Sequence, residues 1–254
     1  MLHNWSKTIP SSSTLGTILR LPLRLIPEGT VVKVRAGLNK GMKWKVGSGA
    51  HGCWLGLFEL EKQAAMKPFI KPGMTVFDIG ANAGFYTLTF SCLVEEQGRV
   101  WAFEPLAENA NNILRHINLN RLTNVTLLQA AVVDHSGLVG FRIGENNATG
   151  TVSDEEELYK VPAVFLDNLV EAGAVPVPDV VKIDVEGFES SVLVGSKKLL
   201  AARQTTLFIA LHGDEERKRC RKILESFRYK IFLLDGTAVG DDALQGDEIY
   251  AVPD

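Results

Sequence analysis

The sequence predicts an α/β fold, a doubly wound and mostly parallel sheet with an N-terminal β-hairpin and helix as an appendage. From residue 74 onward, short apolar runs alternate with amphipathic segments, which is typical of a parallel sheet covered by helices on both faces. A glycine-containing turn follows the first of these apolar runs. The length of 254 residues allows one large core with a small addition.

The N-terminal appendage is predicted over residues 1–68. Residues 30–35 and 42–46 flank a turn that contains Gly and Asn, which indicates a β-hairpin. Residues 54–69 have the apolar spacing of an amphipathic helix that ends before Lys71-Pro72-Gly73. The appendage is too small to form the main core, so we expect it to pack against the rest of the chain.

The main domain is predicted over residues 69–254. Strands are expected at 75–79, 99–103, 125–129, 161–165, 180–183, 206–211, 230–234 and 248–252. Helices are expected at 85–94, 106–119, 167–171, 190–202 and 214–227. Glycines interrupt the alternation within residues 131–160, which predicts an irregular or hairpin-containing insertion there. No helix separates the last two strands, so an antiparallel edge is expected.

Composition limits the range of partners. The formal net charge of −3 and the pI near 6.0 make nucleic acid and anionic membranes unexpected partners, which leaves a small molecule. Three dispersed cysteines fit a reducing, cytoplasmic setting. Arg20, Pro22 and Arg24 interrupt the apolar N-terminal stretch, so we expect no signal peptide and no membrane insertion. The sequence allows a homo-oligomer but does not decide the oligomeric state.

The turn at residues 78–84 follows the first strand of the main domain. Ligands of such sheets bind at the carboxyl ends of the strands. Gly80 and Gly84 let the backbone approach a ligand, and the amides that open the next helix face it. Asn82 stands where dinucleotide-binding turns have the glycine that admits a pyrophosphate, and the acidic Asp78 ends the strand. This composition disfavours a diphosphate.

An acidic turn suits a cationic cofactor instead. S-adenosylmethionine carries a sulfonium and an α-amino group where dinucleotides carry phosphates. Glu104 ends the second strand, where a carboxylate can accept hydrogen bonds from both ribose hydroxyls. Together the turn and this acid predict an S-adenosylmethionine site. An NAD(P)-dependent oxidoreductase on the same sheet is the alternative.

Three motifs resemble the FkbM family of S-adenosylmethionine-dependent O-methyltransferases. They are Asp78-Ile-Gly-Ala-Asn-Ala-Gly84, Phe103-Glu-Pro105 and, most specific, Lys182-Ile-Asp-Val-Glu-Gly-Phe-Glu189. The resemblance covers residues 54–233 and implies a Rossmann-like class I methyltransferase sheet of seven strands in residues 69–254. It also implies an acceptor hydroxyl on a sugar, a glycan or a natural product. The residues expected to contact the cofactor are Asp78, Gly80, Asn82, Ala83, Gly84, Phe85, Glu104, Pro105, Ala131 and Asp184.

Catalysis is expected at the carboxyl ends of the later strands. Methyl transfer to oxygen needs an aligned acceptor and a base for its proton. His212 follows the strand predicted at residues 206–211 and is the expected base, because an unperturbed pKa of about 6.5 suits neutral pH. Asp184 is expected at the methyl end of the cofactor and Glu186 near the acceptor, while Glu189 is expected to cap the next helix.

A divalent metal is compatible with the sequence but not required by it. Asp184, Glu186 and His212 could together hold Mg²⁺ and acidify the acceptor hydroxyl. The family often has an acid two residues before the histidine, where this chain has Ala210. That departure is the one indication for a third interpretation, a cofactor-binding protein that has lost the chemistry.

The appendage and residues 131–160 are the expected lid and wall over the acceptor. Trp54, like Trp44, could stack on a sugar or aromatic ring, since an indole offers a large apolar face. His51 lies in the glycine-rich segment just before it and could reach the same site. All three are therefore candidate acceptor-binding residues.

Overall fold

The structure, a computed structural model, describes residues 25–143, 150–153, 159–240 and 246–254. Its first elements are the strands β1 (Val31–Lys33) and β2 (Lys43–Lys45), which pair antiparallel. The predicted hairpin is therefore confirmed.

Two short helices follow the hairpin, α1 (His51–Leu55) and α2 (Leu60–Met66). The single helix predicted over 54–69 is wrong. Gly56 and Glu59 adopt left-handed backbone conformations, with φ of 78° and 43°. Such residues end one helix and redirect the chain before the next. At Gly56 a Cβ would lie 2.0 Å from the carbonyl oxygen of Ala36, so packing against the preceding loop requires glycine there.

Strands of the main domain begin and end close to the predicted positions. Its described strands are β3 (Thr75–Ile79), β4 (Arg99–Phe103), β5 (Val125–Leu128), β6 (Ala131–Val132), β7 (Gly137–Ile143), β8 (Gly150–Ser153), β9 (Lys160–Val164), β10 (Val180–Ile183), β11 (Thr206–Ala210), β12 (Tyr229–Leu233) and β13 (Glu248–Pro253).

The main sheet has seven strands in the order β12-β13-β11-β10-β3-β4-β5. The pairs from β11 to β5 are parallel, whereas β13 runs antiparallel to both of its neighbours. All four residues of β10 are buried, as expected for a parallel strand covered on both faces. The α/β fold class and the antiparallel edge are confirmed.

The insertion forms a second sheet with the order β6-β9-β7-β8. β7 pairs antiparallel with β8 and β9, so the expected hairpin is present, and β6 pairs parallel with β9. Residues 144–149 and 154–158 of the predicted insertion lie outside the described part of the chain. β6 begins three residues after β5 ends, which places this second sheet beside the carboxyl ends of the main strands.

The described helices of the main domain are α3 (Phe85–Val94), α4 (Ala107–Asn120), α5 (Leu166–Glu171), α6 (Glu189–Val194), α7 (Lys197–Ala202) and α8 (Asp214–Ser226). The single helix predicted over 190–202 is wrong, because Gly195 separates α6 from α7. A Cβ there would lie 2.2 Å from the carbonyl oxygen of Val133, so the chain passes too closely for any other residue. None of the described helices has the length and apolarity needed to cross a membrane.

Alternate strand residues face two different cores. Phe77 and Val181 pack with α6, α7 and α8 on one face. Val76 and Phe208 pack on the other face with α3 and with Trp44 of the appendage. The appendage therefore shares a core with the main sheet, and the division of the chain at residue 68 stays a prediction.

Candidate active site

A cavity of about 410 Å³ lies at the carboxyl ends of β3, β4, β10 and β11. Glu104 lines one end of it, and Asp184, Glu186 and His212 line the other. Among the residues predicted to contact the cofactor, the following line this cavity: Gly80, Asn82, Ala83, Phe85, Glu104, Pro105, Ala131 and Asp184. The topology thus gathers side chains that are far apart in the sequence at one edge of the sheet.

The turn after β3 owes its shape to Gly80. Its φ is 71°, and a Cβ would lie 1.9 Å from the carbonyl oxygen of Asp184. The absence of a side chain therefore lets this turn touch the loop that follows β10. Gly84 has a φ of 88° and begins α3 without lining the cavity. Asn82 also has a positive φ, 50°, which asparagine tolerates better than most residues.

Asp78 does not line the cavity. Its carboxylate is fully buried and accepts a hydrogen bond of 2.7 Å from the Thr87 hydroxyl, while Lys182 Nζ lies 3.2 Å from its other oxygen. Lys182 in turn donates a hydrogen bond of 2.7 Å to the carbonyl of Gly80. Asp78 therefore neutralises the buried ammonium that holds the turn, and its contact with a cofactor stays a prediction.

Backbone amides hold the carboxylate of Glu104. Oε2 accepts from the amide of Asn82 at 2.8 Å and Oε1 from the amide of Leu106 at 2.9 Å. Burial raises the pKa of Glu104, and these hydrogen bonds oppose that shift. The side chain is thus fixed where it lines the cavity, between the turn after β3 and the start of α4.

The carboxylate of Glu189, which was expected to cap the next helix, holds the ring of His212. Nδ1 of this ring lies 2.8 Å from Oε1 of Glu189, which is fully buried and also accepts the amide of Gly187. Glu189 lies in the first turn of α6 as expected, but it makes no cap hydrogen bond there, and the amide of Ser190 donates to Oε2 of Glu216 instead. The hydrogen bond from Glu189 raises the pKa of His212 to about 9. The imidazole is therefore protonated at neutral pH.

Two further carboxylates face the other nitrogen of His212. Nε2 lies 4.0 Å from Oδ1 of Asp184 and 3.5 Å from Oε2 of Glu186. Glu186 has a φ of 55° and precedes Gly187, whose φ is 99°. A non-glycine residue in this conformation stores strain, which is typical of functional loops.

The appendage contributes a buried cation to this end of the cavity. Nζ of Lys62, in α2, lies 2.8 Å from Oε1 of Glu248 and 3.4 Å from Oδ2 of Asp184. Burial alone would lower the pKa of Lys62, but Asp184 and Glu248 raise it, so this ammonium stays charged. Sequence reasoning missed Lys62, although a lysine on the apolar side of a helix is unusual enough to be noticed.

The carboxyl side chain of Glu248 lies next to Ala210 in the sheet. Ala210 pairs with Glu248 across the antiparallel β11–β13 ladder, and both line the cavity. Paired residues project to the same face of a sheet. A carboxylate on the neighbouring strand therefore lies beside the position where the family often carries its acid.

Of the two tryptophans expected to stack on an acceptor, the structure places one at the cavity. Trp54 is buried in the core, and neither it nor His51 lines the cavity. Their contact with an acceptor stays a prediction. The tryptophan that does line the cavity is Trp44, which stacks on His116 with ring centroids 4.0 Å apart.

The fold and the site together define a Rossmann-like class I methyltransferase, with a seven-stranded sheet and an acidic cavity at the carboxyl ends of its parallel strands. The model of the methyltransferase FkbM domain matches residues 78–231, which is more than half of the chain. The chain belongs to the FkbM methyltransferase family. The resemblance in the three motifs is thereby confirmed.

Two relatives show the extent of this similarity. Hexuronic acid methyltransferase AglP from Haloferax volcanii is 31% identical over 152 residues, which are 59% of this chain and 60% of AglP. The crystal structure of methyltransferase FkbM from Methylobacillus flagellatus KT superposes with a TM-score of 0.52 at 18% identity, over 70% of this chain and 43% of that chain. The chain thus spans less than two thirds of either relative, and the second similarity concerns the fold.

Proposed function

We propose that the protein transfers a methyl group from S-adenosylmethionine to a hydroxyl of a small sugar or glycan acceptor. The observation that carries this proposal is a single cavity with Glu104 at one end and the group Asp184, Glu186 and His212 at the other. Family membership supports methyl transfer. Similarity to a hexuronic acid methyltransferase supports a sugar as the acceptor.

The charge of the cavity fits the proposed cofactor. Its lining contains five carboxylates, from Glu59, Glu104, Asp184, Glu186 and Glu248, but only two basic side chains, from Lys182 and His212, in the part of the chain that is described. An acidic lining attracts a sulfonium and an α-amino group and repels the diphosphate of NAD(P). This disfavours the oxidoreductase alternative. When bound, S-adenosylmethionine supplies the electrophilic methyl group.

The residues of the chain have separate tasks in this proposal. Glu104 binds the ribose hydroxyls, because it ends the strand next to the turn and accepts hydrogen bonds. Asp184 faces the positive charge of the cofactor. Burial alone would raise the pKa of Asp184, but Lys182 and Lys62 lower it, so the carboxylate is ionised.

His212, at the other end of the cavity, takes up the acceptor proton in its neutral form, which predominates only above about pH 9. Because Glu189 holds Nδ1 of His212, Nε2 is the ring nitrogen available to the acceptor hydroxyl. Glu186 lies beside it and orients the sugar. The described part of the appendage, residues 25–68, closes this end through Lys62 and Glu59 and acts as part of the acceptor wall.

The mildly acidic composition and the dispersed cysteines support a cytoplasmic location, and the same composition supports a small acceptor rather than a nucleic acid. These assignments are part of the proposal.

Calorimetry tests the cofactor site directly. The protein is expected to bind S-adenosylmethionine and S-adenosylhomocysteine but not NAD. Glu104→Gln is expected to weaken binding about 10- to 100-fold, because a hydrogen bond to a charged group contributes about 1.5–3 kcal/mol. The exposed Glu96→Gln serves as the matched control and should bind like wild type. Binding of NAD alone, or equal affinities for the two variants, would contradict the site.

A turnover assay separates the enzyme from a cofactor-binding protein without activity. Methyl-labelled S-adenosylmethionine is incubated with the protein and a panel of sugars and glycans, and mass spectrometry identifies labelled products. We expect label on a hydroxyl of a sugar. Cofactor binding without transfer to any member of the panel would favour the non-catalytic alternative.

A further inference from the structure

We propose that Asp184, Glu186 and His212 form a binding site for a divalent metal ion of the Mg²⁺ or Mn²⁺ type. The inference rests on the proposed methyl transfer, because the ion would face the acceptor end of the same cavity. Each residue offers one ligand atom, and these atoms all lie within 4.8 Å of one another. Two carboxylate oxygens and one imidazole nitrogen are a donor set that Mn²⁺ and Mg²⁺ accept.

The distances between the ligand atoms suit a small cation. Neighbouring ligands that lie about 2.1 Å from an octahedral ion are about 3 Å apart. Here His212 Nε2 is 3.5 Å from Oε2 of Glu186 and 4.0 Å from Oδ1 of Asp184. Movements of well under 1 Å on each side would bring the three atoms around one ion. Glu186 and His212 are partly exposed, so their side chains have room for such movements.

Each ligand is already oriented by a partner on its other atom. Oδ2 of Asp184 faces Lys62 and Lys182, at 3.4 and 3.7 Å, which leaves Oδ1 for the ion. Glu189 holds Nδ1 of His212 and leaves Nε2 directed at the two carboxylates. A carboxylate that binds the second nitrogen of a ligand histidine is the usual arrangement at metal sites, where it fixes the ring and strengthens the ligand.

A separate observation concerns the buried carboxylate that holds the His212 ring. Glu189 is fully buried, and its second oxygen, Oε2, has no hydrogen-bond donor among the described residues. A buried carboxylate with an unsatisfied oxygen is unfavourable unless a cation lies nearby. A divalent ion on Nε2 would displace the proton that His212 carries there and would place two positive charges, instead of one, beside this carboxylate.

The metal site changes the role of one residue. A divalent ion would lower the pKa of a hydroxyl bound to it, so the acceptor proton would leave to solvent water and His212 would act as a ligand and not as the base. The lysines nearby keep Asp184 ionised without competing for its free oxygen.

Electron paramagnetic resonance with Mn²⁺ tests the site without any acceptor. The full chain is treated with EDTA, exchanged into metal-free buffer and titrated with Mn²⁺ alone. We expect one bound Mn²⁺ per chain, and loss of that binding in Glu186→Gln. The exposed Glu215→Gln on α8 is the matched control and should bind like wild type. No bound Mn²⁺ in wild type, or equal binding in Glu186→Gln, would overturn the site.

Glu189→Gln tests the second carboxylate. This variant keeps all three ligands, so Mn²⁺ affinity is expected to fall about 10- to 100-fold without complete loss. Thermal melting checks that each variant is folded. Unchanged affinity in folded Glu189→Gln would show that the arrangement around His212 does not serve a metal.

Further measurements separate the metal site from the proposed function. Undiminished methyl transfer in EDTA would overturn the metal and leave the methyltransferase with His212 as its base. Failure to bind S-adenosylmethionine with or without Mn²⁺ would instead overturn the proposed function, and the Mn²⁺ titration would still decide the metal site.

Discussion

Two regions of the molecule use a histidine in opposite ways, the interface between the appendage and α4 and the acidic end of the cavity. At the interface, Nε2 of His116 accepts the amide of Lys45 at 3.1 Å and Nδ1 donates to the carbonyl of Ala83 at 2.9 Å. Burial lowers the pKa of His116 to about 4. At the cavity, the carboxylate of Glu189 raises the pKa of His212 to about 9.

The difference shows that the partner of the ring decides its charge. A neutral imidazole can accept one backbone amide and donate to one carbonyl, so backbone partners and burial favour the uncharged form. A buried carboxylate favours the protonated form. His116 therefore joins two parts of the fold, and His212 carries a charge that a ligand can replace.

The largest expected effect is on turnover. His212→Gln is expected to lower methyl transfer about 10²- to 10⁴-fold, because either a base or a metal ligand is lost. Affinity for S-adenosylmethionine should stay within threefold of wild type by calorimetry. His135→Gln, whose side chain is exposed, is the control for a histidine outside the cavity. Turnover of His212→Gln at the wild-type rate would show that His212 has no catalytic role that separates it from His116.

The next effect is on stability. His116→Ala removes the hydrogen bonds of both ring nitrogens and the stacking on Trp44, so the free energy of unfolding is expected to fall by about 2–4 kcal/mol. Urea unfolding measures this change. His135→Ala on the surface should change it by less than about 0.5 kcal/mol. Equal losses in the two variants would show that His116 does not join the appendage to α4.

The smallest effect is the pH dependence of stability. The pKa of His116 is about 4 in the folded chain and about 6.5 when unfolded. As the pH falls from 6.5 to 4, the unfolded chain gains a proton that the folded chain resists, so stability decreases. The pKa of His212 is raised, so its contribution is complete below pH 6.5 and is lost as the pH rises through about 9.

Urea unfolding at pH 4.5, 6.5 and 9.5 measures both slopes. His116→Ala is expected to lose part of the decrease between pH 6.5 and 4.5, and His212→Gln part of the decrease between pH 6.5 and 9.5. A wild-type pH profile in both variants would contradict the opposite pKa shifts.

The strands of the main sheet could be predicted from the sequence because they are short runs rich in apolar residues, of which β10 is buried throughout. The two broken helices could not. Residues 54–69 and 190–202 both have helical spacing, but contacts with distant residues decide where each helix ends. Gly195 must pass close to the carbonyl of Val133, and Gly56 close to that of Ala36. Such tertiary contacts override local propensity.

Part of the candidate site could be predicted from the positions of the strand ends. Gly80, Glu104, Asp184 and His212 directly follow strands, and the carboxyl ends of parallel strands meet at one edge. The ion pairs of Lys62 and Lys182 were missed because they depend on which elements become neighbours in three dimensions. Trp54 was placed at the cavity from its residue type, but the packing of α1 buries it in the core.

The pairing of Ala210 with Glu248 bears on how inactive members of such a family are recognised. β13 runs against β11, so the first residue of one strand stands beside the last residue of the other. A carboxyl group can therefore move from one strand to the other without leaving the cavity, although the two positions are far apart along the chain. A residue-by-residue check against a motif would record only the missing acid at Ala210, whereas a check of the groups around the cavity would also record the carboxylate of Glu248 beside it.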